Sequence, residues 1–176
     1  MESPRWLFPF TQGVDMRAID MVVRLAEEEG ATLVAVSLIA VPPEQQSQGI
    51  RLEHIQQSKD FLEAVLFKAG RHQVTIERYE VFSRNVPGSI TLLTHEQRCG
   101  SIVLVSGGKR ETLLATQEKI CLLENPPARL VLLRLPAQAG RTGSIRASFP
   151  SWLRRHWERQ DNTRREHIPA SVGELS

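Results

Sequence analysis

One stretch of the sequence has the residue types and the spacing of an anion-binding loop. In IVLVSGGKRETLL, residues 102–114, Gly107 and Gly108 follow an apolar run, and Lys109 and Arg110 come directly after them. Glycines let backbone N–H groups approach a phosphate, and the start of a following helix adds further donors. Glycines also suit a tight turn from a strand to a helix, and basic side chains in a surface loop are commonly only solvated.

His95 and Cys99 are the second pair with chemical potential, because one helical turn between them would place a base beside a nucleophile. No orienting acid and no oxyanion hole is suggested nearby, which favours a core thiol beside a surface histidine. Cys99 and Cys121 lack C-x-x-C spacing, and HEQRC lacks the second histidine of an H-E-x-x-H helix. The sequence therefore predicts no enzyme, no catalytic residue and no metal site.

The charge of the chain is unevenly distributed. Residues 1–136 hold 15 Lys and Arg against 16 Asp and Glu, whereas residues 137–176 hold 7 against 4. A nearly neutral body does not indicate a nucleic-acid-binding surface. No apolar run reaches the roughly 20 residues of a membrane span, and the N-terminus does not have the pattern of a signal peptide. We therefore expect a cytoplasmic protein with one domain, residues 1–136, followed by a basic tail, residues 137–176.

The hydrophobic pattern predicts nine alternating elements in the order β-α-β-α-β-α-β-α-β. The predicted strands cover residues 6–10, 32–41, 74–82, 101–105 and 129–135, and the helices start near Asp15, Leu52, Asn85 and Glu111. This order is typical of an α/β protein, a three-layer α/β/α sandwich with a five-stranded, mainly parallel, Rossmann-like sheet. Ligands collect at the carboxyl ends of such strands, so a site is expected in the loops after Phe10 and Val105.

The string SGGKRET resembles the S-G-G-x-D-S loop of the N-type ATP pyrophosphatases. Two departures argue against that family. Arg110 and Glu111 stand where it has Asp and Ser, and the loop follows the fourth predicted strand rather than the first. Glu111 would also direct a negative charge at the phosphates.

Residues 5–136 resemble the universal stress protein family instead. Three strings carry the resemblance, LFPFTQGVDMRAIDMVVRLAEEEGATLVAVSLIAVPP at the start, NVPGSITLLTHEQRCGSIVLV in the middle and NPPARLVLLRLP at the closing strand. The resemblance covers about three quarters of the chain and rests on the order and pattern of the elements. It implies the adenine nucleotide alpha hydrolase-like form of the α/β fold.

ATP-binding members of that family carry G-x2-G-x9-G-[S/T] after the fourth strand and an acid after the first. Here Arg110 or Glu111 replaces the second glycine, Thr116 stands at the later glycine, and Thr11 replaces the acid. The resemblance thus implies a degenerate nucleotide site, with no cofactor expected and ATP as the alternative ligand. The residues that would contact a nucleotide are Thr11, Gly107, Gly108, Lys109, Arg110 and Thr116.

The tail contains a predicted short amphipathic helix near residues 149–160, after a glycine-containing linker. One face would be aromatic and apolar and the other basic. The residues predicted to contact a partner or a membrane surface are Phe149, Trp152, Leu153, Trp157, Arg154 and Arg155. Packing of the two tryptophans on the domain or across a dimer is the competing interpretation.

These observations predict a non-enzymatic regulatory or interaction module of the universal-stress type that has lost its nucleotide site. The resemblance implies a homodimer through the closing strand RLVLLRL, and the sequence does not identify any protein partner. One alternative is an ATP-binding stress-response switch that uses the loop after the fourth strand. Another is an accessory regulatory domain of a membrane transporter, with the tail as the contact.

Overall fold

The computed structural model of the chain describes residues 3–41, 52–107 and 112–136. Strands and helices alternate along these ranges, which confirms the predicted order. The elements are β1 Arg5–Phe10, α1 Met16–Glu28, β2 Thr32–Ala40, α2 Leu52–Arg71, β3 Ile76–Ser83, α3 Val86–Glu96, β4 Ser101–Ser106, α4 Thr116–Glu124 and β5 Arg129–Arg134. No helix in these ranges is long and apolar enough to cross a lipid bilayer.

The five strands form one sheet in the order β3-β2-β1-β4-β5, and each of the four strand pairs is parallel. The order reverses between β1 and β4, and we call this place the switch point. β1 pairs with β2 along its whole length, but with β4 only at Trp6 and Leu7. Pro9 has no N–H to donate, and β1 and β4 are not joined by ladder hydrogen bonds at their carboxyl ends.

Two hydrophobic cores lie on opposite faces of the sheet. One core joins the sheet to α1 and α2, and the other joins it to α3 and α4. Phe61 of α2 anchors the first core, because its ring stacks on Phe10 with centroids 4.3 Å apart and meets Phe8 edge-on at 5.3 Å. This arrangement confirms the predicted three-layer α/β/α sandwich.

Local signals placed several helix ends correctly. The Asp15 side chain caps α1 by accepting hydrogen bonds from the N–H groups of Arg17 and Ala18. Asn85 caps α3 in the same way. Gly30 follows α1 with φ of 58°, a left-handed conformation that glycine adopts without strain.

Two sequence expectations about helices are wrong. The fourth helix begins at Thr116 rather than at Glu111, because residues 112–115 are not helical and Leu113 has φ of 66°. The third helix ends at Glu96, so Cys99 lies in the connection to β4 and not on the helix. Arg98, with φ of 51°, turns the chain away from the helical path before that cysteine.

Gly107 lies where β4 leaves the sheet, next to the end of β5. Its φ is 95°, and a Cβ atom on this residue would lie 2.9 Å from the carbonyl oxygen of Leu135. The Leu135 N–H donates to the Ser106 carbonyl at 2.8 Å, which holds the two chain segments together. Backbone geometry therefore explains this glycine without any ligand.

A charged clamp fastens the opposite, amino-terminal edge of the sheet. The Arg5 guanidinium of β1 donates two hydrogen bonds to the Glu77 carboxylate of β3, at 2.7 and 2.8 Å, and a third to the Gln97 carbonyl. The hydrogen bond from Arg5 holds the pKa of the Glu77 carboxyl below its ordinary value of 4.5. The clamp connects β1 to β3 across β2, and to the end of α3.

The first prediction concerns Gly107. We expect Gly107→Ala to lower the free energy of unfolding by about 1–3 kcal/mol, because alanine is strained at this φ and its Cβ meets the Leu135 carbonyl. Urea denaturation measures the loss. Gly70→Ala is the control, since that helical glycine has open space around it and should gain roughly 0.5–1 kcal/mol. Equal midpoints for wild type and Gly107→Ala would contradict the assignment.

The second prediction concerns the clamp. Because the folded pKa of Glu77 is lowered, its stabilisation is present above the ordinary carboxyl value and is lost as pH falls through the lowered one. Urea midpoints measured between neutral and acidic pH should fall more steeply for wild type than for Glu77→Gln at the acid end. Glu53→Gln, an exposed change at the start of α2, should keep the wild-type slope. Parallel curves for wild type and Glu77→Gln would contradict this role.

Candidate functional site

The switch point is closed by residues 112–115, which we call the closing segment. The carbonyl of Leu113 accepts hydrogen bonds from the backbone N–H groups of Thr11 at 2.6 Å and Gln12 at 3.3 Å. The N–H of Leu113 in turn donates to the Gly13 carbonyl at 3.2 Å, which completes an antiparallel bridge. The backbone donors just after β1, where ligands commonly bind in parallel sheets, are therefore already paired.

Two successive leucines anchor the closing segment. Leu113 is 2% exposed and joins the core beneath α1 and α2, whereas Leu114 is 1% exposed and joins the core beneath α3 and α4. Burial of a leucine side chain stabilises a fold by about 1.5–3 kcal/mol. The ammonium of Lys119 adds a hydrogen bond to the Thr112 carbonyl at 3.0 Å. The segment is thus a packed part of the domain.

A carboxylate lies at the start of α4. Oε2 of Glu118 accepts a hydrogen bond from the Ala115 N–H at 2.9 Å and another from the Thr11 hydroxyl at 2.8 Å. The first is the reach-back half of a capping box, and it satisfies one of the N–H groups that a helix start leaves unpaired. The contact brings the end of β1 against the first turn of α4 with a negative charge between them.

A small cavity opens beside this carboxylate, at the carboxyl ends of β1 and β2. Its volume is about 90 Å³. It is lined by Thr11, Gln12, Ser37, Leu38, Ile39, Ala40, His54, Ala115 and Glu118. The cavity therefore has both polar and apolar walls. It lies at the carboxyl edge of the sheet, where ligands commonly bind in parallel α/β proteins.

The structure brings together only part of the predicted nucleotide site. Thr11 lines the cavity, and Thr116 is the exposed first residue of α4, next in sequence to Ala115 of the lining. Gly107 lies at the end of β4 against Leu135. Gly108, Lys109 and Arg110 lie outside the described residues, as do all the predicted contact residues of the tail from Phe149 to Trp157.

Cys99 and His95 lie in different environments. Cys99 is 6% exposed, and burial raises the pKa of its thiol to about 11, so the thiol is protonated at neutral pH. His95 is exposed in the last turn of α3. Within residues 3–41, 52–107 and 112–136, no group of three His, Cys, Asp or Glu side chains is placed to hold a metal ion.

Sequence reasoning missed Glu118, Ser37 and His54. Ser37 had a signal, because it is the polar residue inside the apolar strand TLVAVSLIAV. Glu118 stands three residues after Ala115, which is the glutamate position of a capping box. Alanine is not the usual N-cap residue of that motif, so the sequence showed only one of its two residues. No pattern in the sequence singled out His54.

No protein-family model matches the chain, and no curated protein matches it either. Solved structures do. A universal stress protein family structure from Burkholderia pseudomallei has a TM-score of 0.57 at 16% identity, over 75% of this chain and 96% of that one. The universal stress protein UspA from Lactobacillus plantarum has a TM-score of 0.56 at 14% identity, over 76% and 99%.

A third structure, the universal stress protein from Archaeoglobus fulgidus in complex with dAMP, has a TM-score of 0.54 at 12% identity and covers 74% of this chain and 97% of its own. Identities this low relate the proteins through their folds. The structural matches confirm the α/β architecture that the resemblance to universal stress proteins implied, and they cover the same three quarters of the chain. This protein has the α/β fold of the universal stress protein structures.

Proposed function

We propose that the protein is a regulatory or interaction module of the universal-stress type that acts through protein contacts and does not bind a nucleotide at the switch point. The observation that carries this proposal is the Glu118 carboxylate at the start of α4, bonded to Ala115 and Thr11. A helix start binds a phosphate through its free N–H groups and its positive pole. Here a carboxylate of the protein occupies that position and would repel a phosphate.

The backbone around the switch point supports the same conclusion. The N–H groups of Thr11 and Gln12 are paired with Leu113, and Gly107 is explained by its contact with Leu135. A phosphate that bound the backbone N–H groups of Thr11 and Gln12 would have to displace the closing segment and expose Leu113 and Leu114. Both costs oppose binding, since buried leucines and paired backbone groups each stabilise the closed arrangement.

A non-enzymatic role is part of the proposal. The thiol of Cys99 is buried, and its pKa, raised to about 11 by burial, keeps it protonated at neutral pH. Catalysis by acid, base or nucleophile requires such groups within hydrogen-bond reach of one another in an accessible site.

An ATP-binding stress-response switch is the second candidate function. The Archaeoglobus structure, which is a complex with dAMP, favours it because the two folds correspond. In this alternative Gly108, Lys109 and Arg110 would hold the phosphates from the loop after β4.

The third prediction separates these two functions. Isothermal titration of the full chain with ATP should give no saturable heat up to millimolar ligand, which corresponds to a binding free energy weaker than about −4 kcal/mol. Protein that has been denatured and extracted should also carry no nucleotide. Micromolar binding that Arg110→Glu abolishes, and that the control Arg129→Glu at the start of β5 retains, would establish the ATP switch instead.

We propose a homodimer through β5, which is one edge of the sheet. Its Leu132 side chain is 60% exposed although it belongs to the apolar run RLVLLR. An edge strand with unpaired backbone groups and exposed leucine is suited to pairing with a second copy. A protein partner or a membrane transporter contacted by the tail stays a proposal that rests on residues outside the described ranges.

The fourth prediction tests the β5 interface. Sedimentation of wild-type protein should show a dimer, and Leu132→Glu should shift the equilibrium to monomer because a charge would be buried between two copies. Leu66→Glu is the matched control, since Leu66 is 41% exposed on α2, away from β5. A wild-type monomer, or a dimer that survives Leu132→Glu, would place the interface elsewhere or remove it.

A further inference from the structure

Strand β3 is the edge of the sheet opposite to β5, and within the described residues only one of its two sides is paired. Its partner is β2, in a parallel ladder along the whole strand. The Leu33 N–H donates to the Thr75 carbonyl at 2.9 Å, and the Val41 N–H donates to the Ser83 carbonyl at 2.8 Å. Odd-numbered residues therefore direct their backbone groups toward β2, because successive residues alternate sides. The even-numbered residues direct theirs out of the sheet, and these are Ile76, Arg78, Glu80 and Phe82.

The side chains of this edge are complementary to a second copy of the same strand. In IERYEVF, residues 76–82, Arg78 and Glu80 stand on either side of Tyr79, and Ile76 and Phe82 stand three residues from it. In an antiparallel pair of two β3 strands centred on Tyr79, each Arg78 lies opposite Glu80 of the other copy, and each Ile76 lies opposite Phe82. Opposite charges and apolar pairs across strands stabilise a sheet. A shift of two residues either way would place two glutamates or two arginines opposite each other, so the charges select one register.

These side chains are available for such a contact. Arg78 and Glu80 are exposed, and Phe82 is 51% exposed. Arg78 forms no ion pair with a described residue. Oε2 of Glu80 accepts a hydrogen bond from Ser58 of α2, which leaves Oε1 for a guanidinium. Glu77, the other charged residue of the strand, is held by the clamp and does not compete.

Helix α2, which packs on β2 and β3, adds apolar surface beside this edge. Lys68 marks the flank of α2 that faces α1, because its ammonium bonds Asp20 at 2.6 Å. Leu66 lies on the opposite flank and is 41% exposed. Glu63 and Lys59, one and two turns earlier, are exposed and bring one charge of each sign. The flank of α2 therefore offers a leucine and no excess charge to a second copy.

We propose that β3 recognises a second copy of this chain by antiparallel pairing around Tyr79, with each Arg78 joined to Glu80 of the other copy. The inference goes beyond the proposed function, because it concerns the edge opposite to β5 and does not require the β5 contact. Exposed ion pairs contribute modestly, so this contact forms at a higher protein concentration than the β5 dimer. A protein with both contacts extends its sheet in two directions and forms species larger than a dimer.

The fifth prediction tests this pairing in full-length chains that carry Leu132→Glu, which removes the β5 contact. Sedimentation of this parent at rising concentration should show a monomer that becomes a dimer, and added salt should weaken the dimer. Adding Arg78→Glu should raise the dissociation constant about tenfold or more, because two attractive pairs in each dimer become repulsive. Adding Glu80→Arg instead should have the same effect.

A mixture of the two charge variants is the decisive sample. Equimolar Arg78→Glu and Glu80→Arg proteins should form a mixed dimer about as readily as the parent, since every carboxylate again faces a guanidinium. Arg17→Glu is the control, because this side chain is 47% exposed at the start of α1, away from β3, and its variant should keep the parent's dimer.

A parent that stays monomeric at every concentration would overturn the β3 contact, and so would a mixture that associates no more than its components. Both results would leave the β5 dimer untouched. Identical sedimentation of the wild type and Leu132→Glu would overturn the β5 dimer alone.

Discussion

The hydrogen bonds from the backbone of Thr11 and Gln12 to the Leu113 carbonyl organise the carboxyl edge of the sheet, where the candidate site lies. The ladder between β1 and β4 stops at Leu7, and Pro9 cannot extend it, so the carboxyl end of β1 needs partners from elsewhere. The closing segment provides them. Its position determines where α4 starts and hence where the Glu118 carboxylate meets the Thr11 hydroxyl.

We propose that the charge at this edge, rather than the fold, determines what the edge can bind. The sheet order and the two layers of helices are shared with universal stress protein structures, one of which holds dAMP. A common fold supports different functions because the site is made of individual side chains. In this chain the Glu118 carboxylate accepts hydrogen bonds from the Ala115 N–H at the start of α4 and from the Thr11 hydroxyl. In the function that we propose, this carboxylate lies where a phosphate site requires donors.

Prediction from the sequence succeeded where the signal was local. Asp15 and Asn85 were identified as helix starts because a cap contacts N–H groups two or three residues further along. It failed at residues 112–115, where Leu113 and Leu114 continue the apolar spacing of a helix. Their burial in two different cores, and the pairing of Leu113 with Gln12, outweighed that local preference.

The amino-acid sequence alone predicts the alternation of strands and helices, the parallel three-layer architecture and the edge of the sheet where a site is expected. Periodic burial and turn residues encode these features over short stretches, and the connection lengths restrict the topology. The chemical character of the candidate site follows from contacts between distant parts of the chain. Thr11 and Glu118 are 107 residues apart in the chain, yet a hydrogen bond joins their side chains. Contacts of this range depend on how the elements pack, which no local pattern records.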